Sequence, residues 1–231
     1  PPGRLTPSQR LGPTGFQHLG LPPGGALGPG AARIANLLVG NASDAALLEI
    51  TLLGPRLILE TGAWIALTGA DLTATLDGAP LPTWRPLWAP AGARIGFGGP
   101  RRGCRACLAV DGGLDVPQVL GSRSTDSRSA LGGLAGRPLQ AGDCLPLGTA
   151  HLPPPQHPDR PAWSRWWVTH MADIPINHPA RLRFIPDTDW AALPEHEQQG
   201  LAGNRYRISS QCDRMGLRLS GPALSLPDGP E

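Results

Sequence analysis

Gln17 and His18 stand side by side just ahead of a glycine-rich turn, Gly24-Gly25-Ala26. An amide beside an imidazole can hydrogen-bond a carboxylate or a lactam carbonyl and move a proton. The plainer reading is a histidine that satisfies loop carbonyls. Two acids follow. Glu49 lies in the alternating run Leu48-Glu49-Ile50-Thr51-Leu52, and Asp71 follows Gly69-Ala70. Paired carboxylates can activate water or orient an amide. Otherwise Glu49 is the solvent-facing residue of a strand and Asp71 caps a turn. Their spacing alone does not bring them together.

Further groups suit ligand binding. Gly24 and Gly25 precede a helix start at Pro29, where backbone N–H groups can hold an anion. A tight turn explains the same glycines. Arg123-Ser124-Thr125 follows Gly121 in a polar loop. A guanidinium with two hydroxyls suits a carboxylate or phosphate, although Ser and Thr also bond their own loops. Asp213 and Arg214 form an internal ion pair or present Arg214 to an anion. Arg101, Arg102 and Arg105 read as a solvated strand end.

Composition removes several chemistries. All 20 basic residues are Arg and none is Lys. No side-chain Schiff base can form, no phosphate loop of the Gly-rich-plus-Lys type exists, and biotin has no lysine to attach to. A net charge of +2 gives no broad basic face, so nucleic acid is not an expected partner. Cys104 and Cys107 have the spacing of half a zinc knuckle, but Cys144 and Cys212 stand alone. An odd offset on a strand also sends two side chains to opposite faces, so no metal site is expected. Scattered thiols suggest a cytoplasmic protein. No window is long and apolar enough for a membrane-spanning helix. The opening Pro1-Pro2-Gly3-Arg4 carries no signal core and no initiator Met, so the true N-terminus is expected to be missing.

The elements that must position these groups are mostly strands. One helix is expected between Pro29 and Gly40, where Ala31, Ile34, Ala35 and Leu38 keep helical spacing. Period-two runs then predict strands at 48–52, 57–60, 64–68, 72–76, 79–84, 94–97 and 105–110, with Asp77-Gly78 as a hairpin turn. Gly 31 and Pro 28 make up about a quarter of the chain and punctuate this series. The rhythm is that of a barrel or sandwich. A last strand of the first unit is expected at Cys144–Leu147. Five prolines between His151 and Pro161 read as a stiff linker. The expected division is therefore a first subdomain at 1–150, a linker at 151–164 and a second subdomain at 165–231. In the second, strands are expected at Ala180–Ile185, Arg205–Ser210 and Leu217–Leu219, and a polar helix at Asp189–Gly200. Trp163, Trp166 and Trp167 suit a subunit interface or a core anchor of the second unit.

Two stretches carry a family resemblance. One is Gly15-Phe16-Gln17-His18-Leu19-Gly20-Leu21-Pro22-Pro23-Gly24-Gly25-Ala26 with Arg33-Ile34-Ala35-Asn36-Leu37-Leu38-Val39-Gly40-Asn41. The other is Val116-Pro117 with Leu120-Gly121-Ser122-Arg123-Ser124-Thr125. Leu48-Glu49-Ile50-Thr51, Thr68-Gly69-Ala70-Asp71 and Ser210-Gln211-Cys212-Asp213-Arg214-Met215-Gly216 support them. Together they resemble the carboxyltransferase-domain family once called allophanate hydrolase subunit 2. Its bacterial members include the C subunit of ATP-dependent 5-oxoprolinase, and its relatives form the carboxyltransferase part of urea carboxylase. The likeness runs from Pro2 to about Leu224 and is weak over 151–179.

The resemblance implies a mainly β fold of two cyclophilin-like β-barrel subdomains. Family members continue past Glu231, so the second is expected to be incomplete. It implies an ATP-dependent amidohydrolase subunit, acting with A and B subunits to hydrolyse 5-oxoproline to glutamate, with ATP and Mg used at the level of the complex. It also strengthens the substrate reading of Gln17 and His18. Two alternatives stay open: biotin-dependent carboxyl transfer of the urea carboxylase type, with biotin on another chain, and a non-catalytic regulatory partner of the B subunit. The sequence departs from the family pattern at Arg10, usually acidic, at Pro13, usually basic, and at Cys212, usually Ser.

Overall fold

Period-two alternation in three long runs builds the centre of the molecule. The computed structural model describes residues 7–9, 18, 24–169, 181–212 and 216–225. The chain divides into two units, Pro1–His170 and Met171–Glu231. The first contains helix α1 (Pro29–Leu38) and strands β1 (Ser8–Gln9), β2 (Leu47–Thr51), β3 (Leu57–Ile58), β4 (Ala63–Asp71), β5 (Thr75–Leu76), β6 (Ala79–Pro80), β7 (Leu87–Ala89), β8 (Arg94–Gly96), β9 (Arg102–Val110) and β10 (Ala162–Trp163). Six strands form one antiparallel sheet in the order β1-β2-β9-β4-β7-β10. Four more form a smaller sheet, β3-β8-β5-β6. The mainly β expectation holds. Neither sheet closes on itself among the described residues.

Both faces of the large sheet are covered. On β9, Ala106, Leu108 and Val110 point into one core and Cys107 and Ala109 into another. On β4, Ile65 and Leu67 join the first core and Ala66 the second. The first core is shared with Leu76, Ile95 and Leu81 of the small-sheet region. The second lies under α1, whose Ala32, Ala35 and Leu38 meet Leu47, Ala66, Cys107 and Ala109. Small side chains on both surfaces let the helix backbone come close to the sheet. Successive residues on a strand alternate between these cores, so no face of β2, β4 or β9 is left for solvent at its centre.

Local signals place the ends of several elements. Pro29 occupies the first helical turn of α1, where its missing N–H costs nothing. Asp77 and Gly78 take φ of +49° and +85° between β5 and β6, as a two-residue hairpin with the right-handed strand twist requires. Buried Asn41 fastens the far end of α1. Its Nδ2 donates to the Val110 carbonyl (2.8 Å) and to Asn36 Oδ1 (3.2 Å), and its Oδ1 accepts the Gly112 N–H (2.9 Å).

Some expectations fail. The stretch 79–84 is strand only to Pro80, and Trp84 turns back with φ of +61°. Strand β7 follows it unannounced, because three residues are too few to show a period. Cys144–Leu147 forms no strand; Leu147 makes one isolated bridge to Leu114. The 151–164 stretch read as a linker is bound along the first unit. His151 and Leu152 donate their N–H groups to the Asp111 carboxylate, Trp64 and Trp88 donate to the Pro153 and Pro158 carbonyls, and Ala162–Trp163 pairs with β7. Proline stiffness suits a strap as well as a spacer, and the indole donors that hold it come from residues far away in sequence. Trp163, Trp166 and Trp167 are each more than half exposed, and the Arg85 guanidinium lies 5.1 Å from the Trp167 ring centre.

The second unit contains a 3-10 turn at Thr188–Trp190, helix α2 (Glu195–Gly203) and the pair β11 (Arg207–Ile208) and β12 (Leu219–Ser220). The helix begins six residues later than Asp189, after Pro194. The expected strand at Ala180–Ile185 is absent from its described residues, 181–185. No described residue of this unit is buried.

Candidate functional site

Alternation in β2 suggests a solvent-facing Glu49. The structure buries it completely, because the face it points to carries α1. Glu49 stands opposite Cys107 on β9, and Cys107 stands opposite Thr68 on β4. Opposed residues of antiparallel strands share a face, so these three side chains form a row across the sheet. The Thr68 hydroxyl donates to the Ala31 carbonyl in the first turn of α1 at 2.8 Å. Arg105, two residues before Cys107 and on the same face, brings its Nε to 3.8 Å from Glu49 Oε1. Glu49 Oε2 accepts the Leu27 N–H at 2.7 Å. A carboxylate removed from water needs such partners. Arg105 is therefore no solvated strand end; it is one of them.

Leu27 follows the glycine-rich turn, so the turn and Glu49 belong to one site. Gly25 is buried with φ of +108°, while Gly24 is exposed. His18 is exposed. Gln17, Asp213 and Arg214 lie outside the described residues. Asp71 ends β4 opposite Arg102, beyond the register shift at Gly69. Its Oδ1 accepts the Thr73 N–H at 2.9 Å, the geometry of a turn cap. The two acids are not brought together as a pair: the row containing Glu49 meets β4 at Thr68.

The Arg123 loop packs at the β1 edge of the sheet. Thr125 is buried; its N–H donates to the Ser8 carbonyl at 3.0 Å and its hydroxyl lies 3.1 Å from Ser8 Oγ. Ser124 is buried too, its N–H donating to Ser122 Oγ at 3.1 Å. Gly133 touches this pair so closely that a Cβ there would sit 2.0 Å from Thr125 Oγ1. Arg123 Nη1 donates to Asp115 Oδ1 at 2.7 Å and to the Val116 carbonyl. The pair lines a cleft of about 300 Å³ with Asp44, Gln118 and the Gly112–Gly113 backbone. A larger groove, about 780 Å³, lies over the small sheet beside Arg56, Asp77 and Arg94, away from every candidate residue.

Arg105, Cys107 and Thr68 are not legible as site residues from spacing. Strand alternation gives each its face, but register across β2, β9 and β4 decides which of them meet.

The sequence matches the family model described as carboxyltransferase domain, subdomain A and B, over residues 19–229. It is 40% identical to the C subunit of 5-oxoprolinase from Escherichia coli (strain K12) over 223 residues, covering 96% of this chain and 67% of that protein. It is 32% identical to a urea amidolyase of Lachancea kluyveri, covering 96% of this chain and 12% of that protein. Among solved structures, the K. lactis urea amidolyase matches with a TM-score of 0.79 at 30% identity, over 97% of this chain and 14% of that one. The chain thus spans two thirds of the bacterial relative and a small part of the fungal ones.

Proposed function

This chain belongs to the carboxyltransferase-domain family, and from that premise we propose that it is the C-type subunit of an enzyme that opens the lactam of 5-oxoproline to glutamate with ATP. The likeness to a 5-oxoprolinase C subunit across nearly the whole chain carries this reading. The relative is named as a subunit, so partner subunits are implied; we take them to be of the A and B types. The site of action is cytoplasmic in this proposal. No described helix is long and apolar enough to cross a membrane.

The buried Glu49 supplies a chemistry for the reading. A carboxylate away from water can take a proton from the water that attacks the lactam carbonyl and return it to the nitrogen as the C–N bond breaks. The Arg105 guanidinium beside it can polarise the carbonyl of the same group. His18, Gly25 and the Arg123 loop remain candidate substrate contacts. Among the described residues no phosphate-loop lysine and no carboxylate cluster marks a Mg-ATP site, since the sequence has no lysine and no three acidic, His or Cys side chains converge there. The nucleotide is therefore assigned to a partner subunit.

The test is 5-oxoproline-dependent ADP release by this chain reconstituted with A and B subunits, beside a full-length C subunit as control. Release above the A-plus-B background is expected. A silent mixture beside a working control overturns the reading. The likeness to urea amidolyases supports a second reading, biotin-dependent carboxyl transfer with biotin on another chain. Retention of a biotinylated protein on this chain, together with urea-dependent turnover, would favour it.

A further inference from the structure

We propose that the outer face of the small sheet is a docking groove for an extended, acidic segment of a partner protein. The groove of about 780 Å³ over β3, β8 and β5 is lined by none of the candidate site residues. Register shows how it is built. Leu57 stands opposite Ile95, and Ile95 opposite Leu76; all three turn into the first core. Their neighbours along each strand therefore face the other way. Ile58 stands opposite Arg94, and Gly96 opposite Thr75. Arg56, just before β3, falls on the same outer face by alternation.

Gly96 floors the groove, because the residue that would otherwise fill its centre has no side chain; a Cβ there would lie 3.1 Å from Thr75 Oγ1. Arg56 and Arg94 are exposed, and neither forms an ion pair among the described residues. The one acid in the lining, Asp77, bonds the backbone instead. Its Oδ1 accepts the Arg94 N–H at 2.9 Å, and its own N–H donates to the Arg94 carbonyl at 2.9 Å. Both guanidiniums are thus left for an outside anion. Ile58 neighbours both of them and is 65% exposed. Strand β3 ends the small sheet, so the groove is open along that side.

Spacing and chemistry define the occupant. Arg56 and Arg94 are diagonal neighbours on adjacent strands, which places their Cβ atoms about 7–8 Å apart. Carboxylates at alternate positions of an extended chain project to one face about 6.8 Å apart. Each guanidinium can then hold one carboxylate through two parallel bonds. An apolar side chain two residues further along the same face covers Ile58 and removes its surface from water. A phosphate or another small anion would leave Ile58 wet and most of the groove empty. The charge pattern and the apolar centre together call for a polypeptide segment with alternating acidic positions.

The test is fluorescence anisotropy with the full chain and a labelled peptide, Thr-Asp-Thr-Asp-Thr-Val-Thr, beside the same peptide with Lys in place of each Asp. Threonine favours the extended form. Saturable binding of the acidic peptide, and none of the basic one, is expected. Arg56→Gln and Arg94→Gln should each weaken that binding about fivefold, and the double variant more than about tenfold. Both positions are exposed, so the variants should fold, which circular dichroism checks. Arg33→Gln removes an exposed arginine of α1 outside the groove and should bind as wild type does. A wild-type chain that does not bind the acidic peptide overturns the groove as a docking surface. So do folded Arg56→Gln and Arg94→Gln chains that bind as wild type does. A loss as large in Arg33→Gln overturns it too, because binding would then follow net charge alone. Inorganic tripolyphosphate serves as a competitor: if it binds more tightly than the peptide and depends on the same two arginines, the groove is a small-anion site and the peptide proposal falls.

Discussion

The Trp64 indole Nε1–H donates to the carbonyl oxygen of Pro153, 89 residues away in sequence, at 2.8 Å. Trp88 does the same for Pro158 at 2.9 Å, and the two indoles meet edge to face with ring centres 5.8 Å apart. The two rings thus hold the proline-rich strap through its carbonyls, the polar groups that proline retains. Trp64→Phe keeps an aromatic ring and removes the donor. The expected loss is about 1 kcal/mol, roughly fivefold in the opening of the strap. Hydrogen exchange at the His151 and Leu152 amides reads it directly, since both donate to Asp111. Unchanged exchange at these amides would show that the indole bond does not hold the strap.

A second pair sets an acid limb. Arg137 grips Asp143 with two bonds, Nη1 to Oδ2 at 2.7 Å and Nη2 to Oδ1 at 2.8 Å. This pairing, helped by the Gln140 N–H, lowers the Asp143 carboxyl to about 2. An unfolded Asp titrates near 4. A depressed folded value means that the unfolded chain binds the proton first as pH falls. The stabilisation is therefore present above about pH 4 and is lost as pH drops toward about 2. Melting curves of wild type and Arg137→Gln should differ at pH 6 and converge by pH 2. A gap that stays constant over that range would remove the pair from the acid response.

Asn41 tests how much one buried amide contributes to the fold. Asn41→Ala deletes bonds to the Val110 carbonyl, the Asn36 side chain and the Gly112 N–H together. The Gly112 N–H would then lose its side-chain acceptor, while the Val110 carbonyl would keep only the Gly113 N–H at 2.8 Å. A loss of about 2–4 kcal/mol is expected, seen as a lower urea midpoint with an unchanged slope. A loss below about 1 kcal/mol would mean that water replaces the amide.

What is legible in the sequence follows from which signals are local. The Pro29 helix start, the Asp77-Gly78 hairpin and the alternation of β4 and β9 can be read because each rests on neighbours within a few residues. Strands β7 and β10 cannot, because two or three residues carry no period and their pairing is set by distant partners. Glu49 shows the limit most clearly. A polar residue in an alternating strand is exposed only if one face of the sheet is wet, and here α1 covers that face. Arg105 misleads for the same reason, since its partner lies across a strand boundary that local spacing does not show.

Glu49→Gln is the sharpest test of the site. Glutamine has nearly the same shape, and its Oε1 can still accept the Leu27 N–H that Glu49 Oε2 accepts now at 2.7 Å. Loss of the charge beside Arg105 leaves the guanidinium without its counter-ion; Arg105 is partly exposed, with a side chain 26% accessible, so water can compensate it. The fold should therefore survive, with a melting shift of a few degrees, corresponding to about 1–2 kcal/mol. Catalysis should not. Glutamine cannot take a proton, and one of its two polar atoms donates where both carboxylate oxygens accepted. If Glu49 carries the proton from the attacking water to the lactam nitrogen, 5-oxoproline-dependent ADP release by the reconstituted complex should fall by about 10²–10⁴. A fall within fivefold of wild type, in a variant that melts normally and still assembles with its partners, would make Glu49 a structural acid and move the search for the reacting group to His18 and the Arg123 loop.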